Sequence, residues 1–199
     1  MSNEPSSNWQ KQRTNAHAWK RQSEDWYPEP PLATEALIKV ERVVGSCWDP
    51  ACGMGNIVDV LSKDGQHVWG TDMVDRGYPF MMAKREFLSI DPNQPGERHP
   101  DILITNPPFQ LAQRFVDHAL KFATWKVIVL ARLAFLESDA RSAWFQRTPL
   151  ARVWVFPWRL SMPPGGVATK ATGGKTAFAW FVWEKGWRGP PQIGWLQRP

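Results

Sequence analysis

The sequence is poor in cysteine and histidine, with two cysteines and four histidines among 199 residues. Four residues separate Cys47 from Cys52, which is not the spacing of a zinc knuckle, and no histidine pair lies nearby to complete a site. We therefore expect no metal centre. Both thiols fit buried positions in a reducing cytosol, so the sequence predicts a cytoplasmic protein.

Long hydrophobic runs are also missing. The longest apolar stretch, residues 127–136, is interrupted by Arg132. It is far shorter than the roughly 20 residues that a membrane-spanning helix needs. Residues 1–25 are polar and lack the apolar core of a signal peptide. We therefore expect no contact with a membrane.

Two familiar nucleotide-binding patterns are each one glycine short. The dinucleotide fingerprint that would begin at Gly53 and Gly55 needs a third glycine where Val58 stands. A phosphate-binding loop ending at residues 174–176 would need its first glycine where Thr169 stands. These gaps disfavour NAD or FAD as cofactor and disfavour hydrolysis of nucleoside triphosphates.

The remaining composition is globular, with 43% hydrophobic residues and a net charge of +5. That charge permits a polyanionic partner but does not require one. We expect a disordered or loosely docked N-terminal arm at residues 1–25, one folded domain at residues 26–187 and an extended tail at residues 188–199.

Strand and helix patterns alternate through the folded domain, which predicts an α/β protein with a mainly parallel sheet and helices on both faces. The last two strands have no helix between them and fit an antiparallel pair at one edge. Ligands of such sheets bind at the carboxyl ends of the strands. The predicted helices are residues 32–43, 56–63, 110–123 and 138–145, and the predicted strands are 47–49, 67–73, 101–105, 126–131, 153–156 and 177–183.

A glycine-rich turn follows the first predicted strand and opens a helix. Gly53 and Gly55 allow a positive φ and a close approach of ligand to backbone, and Asp72, at the end of the second strand, can accept both hydroxyls of a ribose. An ordinary strand-to-helix turn fits a lone Gly-x-Gly equally well. The candidate ligand-binding residues of this region are Asp49, Pro50, Ala51, Gly53, Gly55 and Asp72.

Glu86 and Phe87 form a second candidate for nucleoside binding. The acid can accept a hydrogen bond from an adenine amino group while the aromatic ring packs on the base. A short edge strand with one exposed acid explains the same spacing.

The sharpest signal is Asn106-Pro107-Pro108-Phe109, directly after a buried strand. Two prolines restrict the backbone, so the Asn side chain and the prolyl carbonyls are rigidly aimed. These acceptors can take both hydrogens of a planar amine and direct its lone pair toward an electrophile. Phe109 can stack on the base that carries the amine, which is worth about 1–3 kcal/mol.

With these residues in place, the chain resembles the amino-methyltransferases that modify adenine in DNA, in the compact form found in phages and bacteria. Residues 49–55 look like their S-adenosylmethionine motif, Asp72 matches the ribose-binding acid, and Glu86 and Phe87 are similar to their Asp-Phe pair. Residues 106–109 match the catalytic tetrad. The resemblance covers residues 26–187 and implies a Rossmann-like methyltransferase sheet.

The resemblance extends upstream but leaves target recognition open. Residues 27–31 resemble the segment that closes over the methionine end of the cofactor, with Glu29 where these enzymes often carry Thr. No segment is long enough for a separate target-recognition domain, so the loop at residues 159–175 and the two ends of the chain are expected to contact the target. The candidate phosphate contacts are Arg141, Arg147, Arg159, Lys170 and Lys175.

Two alternatives fit the same residues. Asn-Pro-Pro-aromatic also resembles motifs of ribosomal RNA guanine methyltransferases and of release-factor glutamine methyltransferases. A non-catalytic nucleic-acid-binding module on the same fold is the third possibility, with its tryptophans as stacking surfaces.

Overall fold

The computed structural model describes residues 25–165, 174 and 176–199. Nearly all of the predicted N-terminal arm lies outside the described residues. So does most of the 159–175 loop, including Lys170 and Lys175.

Eight strands form one mixed sheet in the order β3-β2-β1-β4-β5-β7-β6-β8. All neighbouring strands pair in parallel except at β7, which runs antiparallel to both β5 and β6. The strands are β1 (Ser46–Asp49), β2 (His67–Asp72), β3 (Met81–Lys84), β4 (Ile102–Thr105), β5 (Lys126–Arg132), β6 (Leu150–Val155), β7 (Phe178–Glu184) and β8 (Gln192–Trp195). The helices are α1 (Leu32–Ile38), α2 (Asn56–Lys63), α3 (Ala112–Phe122) and α4 (Asp139–Phe145).

The predicted fold class is confirmed: the sheet is mostly parallel and contains an antiparallel pair, β6 and β7. Two strands were not predicted. β3 extends the sheet beyond β2, and β8 pairs in parallel with β6 at the opposite edge. The antiparallel pair therefore lies one strand inside the edge, and part of the predicted tail at residues 188–199 belongs to the sheet.

Both faces of the sheet are covered, as expected. On one face, Trp48 and Val127 pack with the apolar side of α3, including Phe115 and Val116. On the other, Ile104 and the neighbouring strands pack with α1 and α2. None of the helices in the described ranges is long and apolar enough to cross a bilayer.

Helix α2 begins and ends where the sequence predicts it. Gly55 precedes it with a left-handed backbone (φ 81°), and Gly65 follows it with φ 83°. Its apolar side chains at Ile57 and Leu61 are fully buried. By contrast, α1 ends at Ile38, earlier than the predicted residue 43.

Because α1 is shorter than predicted, the chain turns after it and brings Glu41 to the amino end of β5. Its carboxylate accepts hydrogen bonds from Lys126 Nζ at 2.6 Å and from Arg152 Nε at 2.7 Å. Trp154 Nε1 donates to it at 2.8 Å. Burial alone would raise the pKa of Glu41, but the bonds from Arg152, Lys126 and Trp154 outweigh burial and lower it.

We expect Glu41→Gln to destabilise the fold by about 3–5 kcal/mol, because it leaves the buried Lys126 ammonium without its carboxylate. Urea unfolding at neutral pH measures the change. Since the folded-state pKa of Glu41 is lowered, its contribution is present above the unfolded pKa and is lost as the pH falls through the folded pKa. The deficit of the variant should therefore shrink in acid.

The matched control is Glu35→Gln on α1, a half-buried acid that forms no ion pair within the described residues. It should unfold like the wild type. Equal stability of both variants would contradict the role assigned to the Glu41 ion pairs.

Candidate functional site

A pocket opens at the carboxyl ends of β1, β2 and β4, where the sequence predicts ligand binding. Its walls come mainly from residues 25–29, which precede α1, residues 50–54 after β1, Asp72 at the end of β2, and residues 106–108 after β4. Four segments far apart in sequence therefore meet at one edge of the sheet.

The glycine-rich turn has the predicted backbone. Gly53 has φ 54° and Gly55 has φ 81°, a region that favours glycine. Gly53 lines the pocket, whereas Gly55 lies behind it and caps α2. A Cβ atom on Gly55 would lie 2.2 Å from the ring of Tyr78, so close packing adds to the requirement for glycine.

The two predicted acids brace this turn. Asp72 accepts hydrogen bonds from the backbone N–H of Gly53 at 2.9 Å and of Val74 at 2.8 Å. Asp49 is 1% exposed, lies behind the pocket wall and accepts from the N–H of Ala51 at 3.1 Å. Asp72 lines the pocket together with Ala51 and Pro50. Asp49 is not part of the lining and acts on the turn through its hydrogen bond from Ala51.

Glu86 and Phe87 both line the pocket. Glu86 is exposed, and its side chain accepts a hydrogen bond from the N–H of Leu88 at 3.2 Å. This bond caps a short 3-10 helix, so the segment is not the edge strand that the sequence also allowed. Phe87 is 1% exposed, and its ring meets Trp48 edge-on at 5.3 Å. The ring thus belongs to the core as well as to the pocket wall, and its contact with a base stays a prediction.

Asn106 joins the strand end to the segment before α1. Its Nδ2 donates to Glu29 Oε2 at 2.7 Å and to the carbonyl oxygen of Tyr27 at 2.9 Å. Its Oδ1 is buried and has no hydrogen-bond donor within the described residues. The carbonyl of Pro108 already accepts a hydrogen bond from the N–H of Leu111 at 2.8 Å. The carbonyl of Pro107 is therefore the prolyl acceptor that we assign to a substrate amine.

Phe109 faces away from the pocket and lines a second depression, which we name the outer groove. This groove lies between the start of α3 and the end of β5 and is lined by residues that include Phe109, Arg132 and Arg141. Tyr27 stacks on the Phe109 ring with centroids 5.7 Å apart, and the Arg132 guanidinium lies 4.6 Å from the ring centroid. The Asn-Pro-Pro-Phe segment therefore contributes to both the pocket and the outer groove.

Several residues of this region were not predicted from the sequence, among them Trp26 and Arg132. Trp26 lines the pocket, with the Arg76 guanidinium 4.0 Å from its ring centroid and the Gly165 N–H donating to its carbonyl at 2.9 Å. Arg132 was visible only as a charge that interrupts an apolar run. Among the predicted phosphate contacts, Arg141 is engaged, since its guanidinium donates to the carbonyl of Glu137.

The pocket region is rich in carboxylates. Burial raises the pKa of Glu29 to about 7, against the hydrogen bond from Asn106 that lowers it. Burial also raises the pKa of Asp49, and the nearby charges of Glu29 and Asp72 add to the effect. Burial raises the pKa of the Cys52 thiol too. A ligand with a positive charge would relieve this electrostatic cost.

No family model matches the sequence, and no curated protein matches it either. Solved structures do. A modification subunit of a type I restriction enzyme from Vibrio vulnificus superposes with a TM-score of 0.60 at 15% identity, covering 87% of this chain and 48% of that one. The chain has the Rossmann-like fold of S-adenosylmethionine-dependent methyltransferases. It spans about half the length of the Vibrio subunit.

Two further structures support the same fold. An RNA methyltransferase from Pyrococcus horikoshii superposes with a TM-score of 0.60 at 12% identity, covering 81% of this chain and 87% of that one. A class I S-adenosylmethionine-dependent methyltransferase from Listeria monocytogenes gives 0.55 at 14% identity, covering 82% and 62%.

We expect Gly55→Ala to destabilise the protein more than the strain of a positive φ explains. A left-handed backbone costs an alanine about 1–2 kcal/mol. The clash with Tyr78 should add about 1–3 kcal/mol of overpacking. Thermal and urea unfolding measure both.

The control is Gly186→Ala, which has φ 89° and no neighbouring atom within 4 Å of the added Cβ. It carries the backbone strain without the clash. If both variants lose the same stability, the packing of Tyr78 against the glycine turn has no energetic role.

Proposed function

We propose that this chain transfers a methyl group from S-adenosylmethionine to the exocyclic amine of a nucleic-acid base, with adenine in DNA as the favoured target. The observation that carries the proposal is the buried Oδ1 of Asn106, an acceptor without a donor in the described structure. Asn106 lines the pocket, and Phe109, three residues later, lines the outer groove.

The pocket fits this cofactor by charge. S-adenosylmethionine carries a positive sulfonium, whereas dinucleotides and nucleoside triphosphates carry several negative charges. Glu29 and Asp72 line the pocket, and Asp49 lies just behind it, so a cation is favoured there and a phosphate is disfavoured. The Arg85 guanidinium in the wall is already paired with Glu97 at 3.1 Å.

The adenosine end of the cofactor would lie against the glycine-rich turn. Gly53 and Ala51 present backbone in the pocket wall, and Asp72 is the acid that would meet the ribose. Glu86 and Phe87 would contact the base of the cofactor. Asp72 already holds the turn through two backbone amides, so its contact with ribose would extend an existing bond network.

The reaction needs orientation more than acid–base strength. When bound, S-adenosylmethionine would supply the methyl carbon: the amine nitrogen would form a bond to it as the carbon–sulfur bond broke with its electron pair going to sulfur, and the amine would release one proton to solvent. Asn106 Oδ1 and the carbonyl of Pro107 would accept the two amine hydrogens. These acceptors also stabilise the positive charge that develops on nitrogen.

The motif resemblance supports DNA as the substrate, whereas the fold alone is compatible with RNA. The Vibrio structure belongs to a type I restriction enzyme and the Pyrococcus structure is an RNA methyltransferase, and both superpose equally well. Residues 106–109 and the order of motifs resemble the adenine-specific DNA enzymes. A flipped base would leave the duplex at a cost of a few kcal/mol, offset by contact with Phe109.

We expect Asn106→Ala to reduce methyl transfer by about 10²- to 10³-fold, as for the loss of one preorganised polar contact to a transition state. Affinity for S-adenosylmethionine, measured by calorimetry, should be nearly unchanged. Asn93→Ala in an exposed turn is the control and should act like the wild type. Normal transfer by the Asn106 variant would overturn the catalytic assignment.

The acceptor is identified by offering unmethylated duplex DNA, total RNA and a protein lysate in parallel with a labelled methyl donor. N6-methyladenine in DNA supports the proposal. Label in RNA or protein would keep the assignment of Asn106 and replace the substrate. Cofactor binding without transfer to any of the three would overturn the proposed function. Absence of both cofactor binding and methyl transfer would also overturn it and would favour a non-catalytic binding module.

The outer groove provides a test of nucleic-acid contact through Arg132. This arginine is exposed beside Phe109, at the end of β5. If it meets a phosphate, Arg132→Ala should weaken DNA binding and reduce the slope of log affinity against log salt by about one. Fluorescence anisotropy from about 50 to 200 mM salt measures the slope.

Arg188→Ala is the matched control, because Arg188 is also exposed but follows the end of β7, which lies beside the amino end of β5. Its slope should match that of the wild type. Equal slopes for all three proteins would exclude a phosphate contact at Arg132.

A further inference from the structure

The side-chain amide of Asn106 is held in one orientation by two acceptors. An amide nitrogen carries two hydrogens, and here one goes to Glu29 Oε2 at 2.7 Å and the other to the Tyr27 carbonyl at 2.9 Å. The reversed amide would place Oδ1 against a carboxylate and a carbonyl, both rich in negative charge. The pair of acceptors therefore directs Nδ2 toward residues 27–29 and leaves Oδ1 as a buried acceptor without a donor in the described structure.

Glu29 is itself fixed in place. It is buried, and its backbone carbonyl accepts from Asn56 Nδ2 at 2.6 Å. Asn56 is the first residue of α2, directly after the glycine turn. Glu29 thus lies where the segment before α1, the glycine-rich turn and the Asn-Pro-Pro segment meet.

We propose that Glu29 is a positioning residue, whose carboxylate orients the Asn106 amide so that Oδ1 faces the amine to be methylated. This inference rests on the proposed function and deepens it. The sequence resemblance gives this position no such role, since related enzymes often carry Thr there. Glu29 acts through Asn106 and need not touch the reacting atoms.

The state of the carboxyl group decides whether this orientation is enforced. An ionised carboxylate accepts hydrogen bonds only, whereas a protonated carboxyl can donate one. Protonated Glu29 could donate to Asn106 Oδ1 after a half-turn of the amide. That turn would present Nδ2 to the substrate amine, with donor facing donor. Methyl transfer should therefore fall when Glu29 is protonated.

The surroundings place this change in the physiological range. Burial raises the pKa of Glu29 to about 7. Several charged or titratable groups face the same pocket region from the elements around it, and a bound cation would lower the pKa. These groups are Asp25 in the same segment, Asp49 and Asp72 at the strand ends, Cys52 in the turn, and Arg76, Arg85 and Glu86 in the wall.

The first experiment compares Glu29→Gln with the wild type between about pH 6 and 8. Glutamine has the same shape as glutamate, but its uncharged amide can both accept and donate hydrogen bonds at every pH in this range. We expect kcat to fall by about 10- to 100-fold, as for partners that orient a functional side chain. We also expect the rise in kcat/KM through about pH 7, which reports the free enzyme, to disappear. The dissociation constant for S-adenosylmethionine should change little.

Two further variants sharpen the comparison. Glu29→Asp keeps the charge on a shorter side chain and should restore part of kcat together with a pH-dependent limb. Glu35→Gln, on the neighbouring helix α1, should retain the wild-type rate and pH profile. A merely structural role for Glu29 would not produce the change in pH profile.

A readout without catalysis follows the Asn106 amide directly. The side-chain ¹⁵N–¹H signals of Asn106, assigned by their absence in Asn106→Ala, should shift with a midpoint near pH 7 in the wild type. In Glu29→Gln they should not titrate. Signals that ignore pH in the wild type would overturn the coupling between the two side chains.

The outcomes separate this inference from the proposed function. An active wild type with an unaltered Glu29→Gln rate and pH profile overturns the positioning role alone. Loss of cofactor binding equal to the loss of rate in Glu29→Gln would assign Glu29 to the cofactor and also overturn it. A wild type that methylates none of the acceptors overturns the proposed function and the catalytic role of Glu29 with it, even if the amide signals titrate.

Discussion

Two hydrogen bonds from one amide nitrogen connect the parts of the candidate site. Asn106 follows the buried strand β4, and its Nδ2 reaches Glu29 and the Tyr27 carbonyl, 77 and 79 positions earlier in the chain. Because both hydrogens are used there, Oδ1 is left buried without a donor in the described structure. An unsatisfied buried acceptor costs about 1–3 kcal/mol. The fold thus contains a buried acceptor, Asn106 Oδ1, to which a ligand N–H would donate a hydrogen bond.

Carboxylates at the two edges of the sheet are treated in opposite ways. At the amino end of β5, Glu41 meets Lys126 and Arg152, and its pKa is lowered despite burial. At the carboxyl edge, burial raises the pKa of Glu29 and of Asp49. The ion pairs at the first edge stabilise the sheet, whereas the carboxylates at the second are held at an electrostatic cost. Such a cost is typical of functional sites, where a ligand relieves it.

The sequence was sufficient for elements whose signals are local. Helix α2 was predicted at residues 56–63 because glycines bracket a clear apolar period, and the Asn-Pro-Pro segment was placed at a strand end because the strand before it is continuously apolar. The edge strands β3 and β8 alternate or expose their side chains and gain much of their stability from backbone pairing, which leaves little sequence pattern. The contacts of Glu29, Trp26 and Arg132 depend on segments distant in sequence, so no local motif predicts them.

The surroundings of Phe109 indicate the side from which a base would approach. Tyr27 stacks on this ring and its backbone carbonyl is hydrogen-bonded to Asn106, so displacing the whole residue would release the amide that, in the proposed function, orients the amine. Arg132 also contacts the ring, but it is exposed and has no hydrogen-bond acceptor in the described structure. Displacing Arg132 costs one cation–π contact, about 0.5–1 kcal/mol at an exposed site. A base that enters from the outer groove would therefore exchange the arginine for its own stacked ring and leave the amide network intact.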